Sequence, residues 1–185
     1  MSNRLQDSVA VITGAASGIG AACARRFAAE GARVVVSDLS EAACAGIAEE
    51  LGDAGAAFVV AAGDVTSRAD TEAIAEVARG AFGRIDVLVN SAGISARTVA
   101  DLPDLEDRWQ RVIEVNLKGT MLMCMAAVEV MRATGGGSII NIASIMGHVG
   151  YPLGVGLSDG FSPYAQSKGG VVQLTRDLGA ALGRE

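Results

Sequence analysis

At 185 residues, half of them hydrophobic and 19% charged, the chain has the composition of one globular domain with a sizeable core. A formal net charge of −6 and a pI of about 4.8, with no Lys/Arg-rich run, exclude nucleic acid as the main partner, because phosphate backbones call for a basic surface. The most apolar helical stretch, "TMLMCMAAVEVM" (120–131), is too short for a bilayer and carries Glu129, so no membrane association is expected.

The expected elements alternate strand and helix. "VAVIT" (9–13) reads as a buried strand and "GIGAACARRFAAEG" (18–31) as a helix ending at Gly31. A second strand, "RVVVSD" (33–38), precedes a helix over 40–51 with Ser40 as N-cap. A third strand lies within 56–64, followed by a helix over 67–82 that opens with Ser67 and Asp70. "RIDVLVNSAG" (84–93) is a fourth strand and 104–133 one long helix. "GSIINIAS" (137–144) is a fifth strand and 162–184 a last helix, with an irregular Gly- and Pro-containing loop over 145–163 between them. Strands apolar on both faces, alternating with helices, predict an α/β fold: a doubly wound parallel sheet, Rossmann-like, in a single domain over 1–185.

Cys23, Cys44 and Cys124 have neither CxxC nor metal-ligand spacing, and "MSNRLQDSVA" lacks the apolar segment of a secretory leader. Reduced thiols in a cytoplasmic protein, and no metal, are expected.

"TGAASGIG" (13–20) joins the first strand to the first helix. Gly14, Gly18 and Gly20 allow a tight turn and let a pyrophosphate approach the N–H groups of the helix start, where the helix dipole favours negative charge. The strand–turn–helix setting makes a ligand-free glycine turn the weaker alternative. No GK[ST] follows, so a P-loop hydrolase is excluded. Asp38, at the end of the second strand, stands where an acid would accept hydrogen bonds from an adenosine ribose and repel a 2′-phosphate. No Arg or Lys lies in "SDLSEAA" (37–43), which favours NAD(H) over NADP(H); an ordinary turn aspartate is the alternative. Tyr164 and Lys168, in "YAQSK", are spaced i,i+4 and share one helix face.

With "TGAASGIG", Asp64-Val65, "NSAG" (90–93), Asn116, Ser144 and "YAQSK" (164–168) in this order, the chain resembles the short-chain dehydrogenase/reductase family over essentially its whole length. The resemblance implies that Tyr164 is the general acid/base for interconverting a secondary alcohol and a ketone. A phenol is a poor base at neutral pH until a nearby ammonium stabilises its anion, the part implied for Lys168. Ser144 is implied to hold the substrate oxygen, and Asn116 a water that links Lys168 to solvent. Cofactor contacts to NAD (NADH) are implied for Gly14, Ser17, Gly18, Ile19, Gly20, Asp38, Asp64, Val65, Asn90, Ala92 and Gly93, and for Tyr164 and Lys168. Relatives commonly form homodimers or homotetramers through the long helix and the last one, where Met121, Met125 and Val128, and Val171, Leu174 and Leu178, extend the apolar surface. The sole histidine, His148, reads as a loop side chain, Trp109 as helix packing, and Arg97 as a residue near the substrate mouth.

Three departures from the family pattern stand out. "NSAG" has Ser91 where a second asparagine is commoner, a minor change. The interval from Ser144 to Tyr164 exceeds the usual one by about seven residues, an expected loop insertion around 145–163 beside the substrate. The chain also stops before the sixth and seventh strands usual in the family. That stop leaves the fifth strand as an exposed apolar edge and implies a shortened form or fragment of a longer enzyme. A truncated nucleotide-binding module or assembly partner without turnover is therefore the competing expectation.

Overall fold

The computed structural model describes residues 3–95, 97–151 and 160–183. Its centre is a parallel five-stranded sheet in the order β3-β2-β1-β4-β5, made of β1 (Val9–Thr13), β2 (Arg33–Ser37), β3 (Phe58–Val60), β4 (Val87–Asn90) and β5 (Ser138–Asn141). β1 and β4 are buried along their whole length, as their unbroken apolar runs require. Alternation along each strand splits the core in two. Ile12, Val36 and Val89 pack with Ala24, Ile47 and Leu51 of α1 (Gly18–Ala29) and α2 (Glu41–Asp53). Val11, Val35 and Leu88 pack with Ile74, Ala78, Met123 and Ala127 of α3 (Arg68–Phe82) and α5 (Thr120–Ala133).

The helix ends follow their local chemistry. Ser40 Oγ accepts the Ala43 N–H at 3.1 Å and Ser67 Oγ the Asp70 N–H at 3.3 Å, both as N-caps. α3 closes on Gly83, whose φ of +81° is the left-handed conformation open to glycine. The third strand is shorter than expected, because the chain turns out of the sheet before Gly63 and Asp64, where its N–H groups bond to Asp38 and Asp70.

The expected single helix over 104–133 is three segments: α4 (Leu105–Ile113), a π-helical turn over Glu114–Gly119, and α5. The last helix, α6 (Pro163–Leu182), starts with Pro at its first position, where a missing N–H costs nothing. A 3-10 turn (Ile145–Gly147) packs against α6 so closely that a Cβ on Gly147 would lie 2.7 Å from the Lys168 carbonyl oxygen. Of the stretch 145–163 where an insertion is expected, 152–159 lie outside the described residues.

β5 is one of the two edge strands, opposite β3, among the described residues. Ile139, in register with Leu88, joins the α3–α5 core, whereas Ile140, in register with Val89, is 41% exposed. Among the described residues no helix is long and apolar enough to cross a membrane.

Candidate active site

The chain runs from β1 to β2 and β3 on one side, then returns to β4 and β5 on the other. The crevice at the carboxyl ends of β1 and β4 is the topological switch point of this sheet, the usual ligand position in open α/β sheets. A cavity of about 550 Å³ lies there. It extends from Asp64, after β3, to Ile142, after β5, a width of four strand spacings or roughly 19 Å.

A row of polar residues closes the apolar sheet beneath the cavity: Ser37, Thr13, Asn90 and Asn141 are lateral neighbours on β2, β1, β4 and β5. Thr13 Oγ1 accepts the Ser91 and Ala92 N–H groups at 3.3 Å each, tying the loop after β4 to β1. Asn90 Nδ2 donates to Asn141 Oδ1 at 2.9 Å and to Cys124 Sγ at 3.2 Å. Burial pushes the Cys124 thiol up to about 11, against the opposing effect of its two asparagine contacts.

At the β1–α1 turn, Gly14 (φ +63°) lets the backbone pass where a Cβ would lie 2.7 Å from Ala92. Gly20 permits a similar approach, since its Cβ would meet the Gly14 carbonyl oxygen at 2.1 Å. Gly18 (φ +53°) has no heavy atom within 4 Å of its Cβ direction, so the face of the turn beside it is open. Side chains of Ser40, Ser67 and Asp104 cap α2, α3 and α4, whereas Ser17 makes no such bond at α1. The uncapped start of α1 lies on the cavity wall, an arrangement that fits an anionic pyrophosphate. Asp38 Oδ2 accepts the Ala16 N–H at 3.1 Å and Oδ1 accepts the Leu39 N–H at 2.9 Å, which fixes the carboxylate beside the turn.

At the other end, Lys168 is only 6% exposed, and its Nζ donates to the Ile142 carbonyl at 2.6 Å. Burial lowers its pKa below that of a free lysine. The same Nζ lies 5.8 Å from the centre of the Tyr164 ring, and both residues line the cavity. Gly93 completes this corner: a Cβ there would be 3.3 Å from Asn116 Oδ1 and 3.6 Å from Lys168 Nζ.

The cavity thus gathers Gly14, Ser17, Gly18, Ile19, Asp38, Asp64, Val65, Ala92, Gly93, Tyr164 and Lys168 of the expected site. Gly20, Asn90, Asn116 and Ser144 lie behind or beside it rather than in its lining. Asn116 is fully buried: Oδ1 accepts the Ile94 N–H at 2.8 Å, and Nδ2 donates to the Ile94 carbonyl at 2.9 Å and to Ser167 Oγ at 3.0 Å. Both amide hydrogens are used, so the side chain clamps the loop after β4 to α6. Ser144 caps the 3-10 turn, its Oγ accepting the Met146 N–H at 3.2 Å, while its neighbours Ile142 and Ala143 reach the cavity.

Sequence reasoning missed several lining residues, including Leu39, Ile94, Thr98, Arg111 and Val115. The i,i+4 spacing of Arg111 and Val115, just before Asn116, was the available signal for a second helix face on the cavity.

The family model described as short chain dehydrogenase matches residues 8–185. D-threitol dehydrogenase of Mycolicibacterium smegmatis is 41% identical over 180 residues, covering 97% of this chain and 66% of the relative. Cis-4-hydroxycyclohexanecarboxylate dehydrogenase of Sinomonas cyclohexanicum is 42% identical over 177 residues, covering 95% of this chain and 68% of the relative. The crystal structure of levodione reductase superposes with a TM-score of 0.84 at 34% identity, over 98% of this chain and 68% of that one. The chain spans about two thirds of the length of these relatives.

Proposed function

Since this chain belongs to the short-chain dehydrogenase family, we propose that it interconverts a secondary alcohol and a ketone with NAD(H) as cofactor. One observation carries the reading: Lys168 Nζ sits over the Tyr164 ring in the same cavity as the uncapped start of α1. That pairs a proton-transfer group with an anion site across a crevice of dinucleotide width. The bound nicotinamide would supply the two-electron acceptor or donor.

Tyr164 Oη would take the proton of the alcohol, or return it to the ketone oxygen. The Lys168 ammonium favours the phenolate, and its bond to the Ile142 carbonyl holds it at the β5 end. Ser144 Oγ receives a hydrogen bond from Met146 and keeps its own hydrogen to offer a substrate oxygen. Asn116 is read here as the clamp that keeps α6 against the loop after β4. Asn116 Oδ1 accepts one bond, from Ile94, and its second lone pair is the place for a relay water. Secondary-alcohol substrates are supported by the names of relatives that act on D-threitol, on galactitol and on hydroxycyclohexanecarboxylates.

NAD(H) over NADP(H) rests on Asp38, held in place by two backbone N–H groups at the ribose end. Comparable efficiency with NADPH would overturn it. A dimer or tetramer is supported by Met121 and Met125, both exposed on one face of α5, with Val128 half-buried beside them. Of the expected α6 contacts, Val171 is buried and Leu174 and Leu178 are half-buried. A cytoplasmic setting is supported by three free cysteines, two of them buried.

A second reading is nucleotide binding without turnover; among the described residues β5 has no outer neighbouring strand at the Ile142 end of the crevice. NADH absorbance with a panel of secondary alcohols and ketones, run beside NADH binding, separates the two. Binding with no turnover on any substrate selects the second. In an active protein, Tyr164→Phe removes turnover and leaves NADH affinity largely intact; surviving activity would displace Tyr164 as the acid/base.

A further inference from the structure

Among the described residues, two cationic side chains line the cavity, Lys168 and Arg111, and they stand at opposite ends. Lys168 is held against Ile142, after β5, whereas Arg111 Nη2 is 4.0 Å from Asp64 Oδ2, after β3. The proposed reaction uses the first and leaves the second without a task. Arg111 sits on α4 one turn before Val115, and both line the cavity, so this face of the helix forms its wall. Its side chain is 41% exposed, and the ion pair with Asp64 is long. Asp64 is better fixed: its Oδ1 accepts the Thr66 N–H at 2.8 Å, and its backbone N–H bonds to Asp70 at 2.9 Å. The β3 end therefore presents a fixed carboxylate and a planar cation with room to move.

We propose that Arg111 is the base-recognition residue of the dinucleotide site. Its guanidinium packs on the adenine ring, beside the cofactor contact that the family resemblance already implies for Asp64. This rests on the reading of the crevice as a dinucleotide cavity. A planar, weakly hydrated cation suits the face of a purine, and a lysine ammonium lacks the flat surface.

The test is calorimetric binding of ADP-ribose, which has the adenine end and no nicotinamide, to wild type, Arg111→Ala and Arg111→Lys, with NADH in parallel. Arg111→Ala is expected to weaken ADP-ribose and NADH by the same factor, about five- to tenfold, and Arg111→Lys to recover little of it. Thermal stability stays at the wild-type value, since the side chain is exposed and loosely paired. Wild-type ADP-ribose affinity in Arg111→Ala would overturn the assignment, and full recovery in Arg111→Lys would overturn the ring contact. Failure of the wild-type chain to bind either ligand would instead remove the dinucleotide reading itself.

Discussion

Asn116 Nδ2 donates to Ser167 Oγ at 3.0 Å, and Ser167 Oγ donates in turn to the Tyr164 carbonyl at 2.8 Å. The π-helical turn after α4 is thereby tied to the first turn of α6, the turn that carries Tyr164. A π turn inserts an extra residue per helical turn and re-aims side chains, a device common at functional sites.

Ser167→Ala leaves a buried Asn116 N–H without a partner, a loss of about 1–3 kcal/mol in folding stability. The larger expectation is kinetic: kcat falls more than KM changes, because α6 loses a constraint on Tyr164 while the loop that lines the cofactor end stays intact. Urea denaturation and steady-state kinetics check both. A variant with wild-type stability and wild-type kcat would show that the bond positions nothing.

Lys168 gives a pH signature. Burial lowers its folded pKa below the reference value of 10.5. Between those two values the unfolded chain binds more protons than the folded one, so this group makes stability rise with pH across that window. Below it, the folded state bears the full cost of a charged, buried ammonium. Lys168→Met removes the titration and the bond to Ile142, so the absolute difference mixes two effects and the slope isolates the charge. Wild-type stability relative to the variant should climb as pH rises towards the reference value of 10.5, read in urea titrations. A relative stability that falls over that range would mean that Lys168 is not desolvated. Turnover is lost at every pH.

Much of this architecture is legible in the chain because local chemistry and the global fold agree. The runs at 9–13 and 34–37 are buried on both faces in the sheet, and the Ser40 and Ser67 caps form as the sequence indicates. The π turn is not legible: nothing in Glu114–Gly119 departs from α-helical composition, and the buried Asn116 within it is held by bonds to Ile94 and Ser167 that only the fold brings near. The approach of Gly147 to the Lys168 backbone is equally hidden, since it depends on where a loop lands on α6. Arg111 shows the same limit from the other side. A helix surface arginine becomes part of a cavity only because β3 ends early and brings Asp64 beside it.

Thiol chemistry reports on the packing of α5. Cys124 is buried, with its pKa pushed up to about 11, and Cys44 is buried in the α1–α2 core. Cys23 on α1 is half-buried, and its thiol is also raised by burial. A thiolate-directed alkylating reagent should therefore modify Cys23 first in the native protein and reach Cys44 and Cys124 only in denaturant. Peptide mass spectrometry after timed labelling reads the order. Early modification of Cys124 would mean that α5 does not cover the sheet as described.

Ile140 tests the edge of the sheet. Its side chain is on the α1–α2 face of β5 and is 41% exposed, on a strand whose outer backbone groups have no neighbouring strand among the described residues. An apolar edge of this kind invites pairing with other chains, and a charge on it is the common natural remedy. Ile140→Lys should slow concentration-dependent aggregation and leave NADH affinity unchanged, because Ile140 does not line the cavity. Light scattering on warming and a binding titration measure the two effects. If the variant aggregates as fast as wild type, β5 is not the adhesive edge; if it aggregates more slowly but also loses NADH, the strand helps hold Ile142 and Lys168 in place at that end of the cavity.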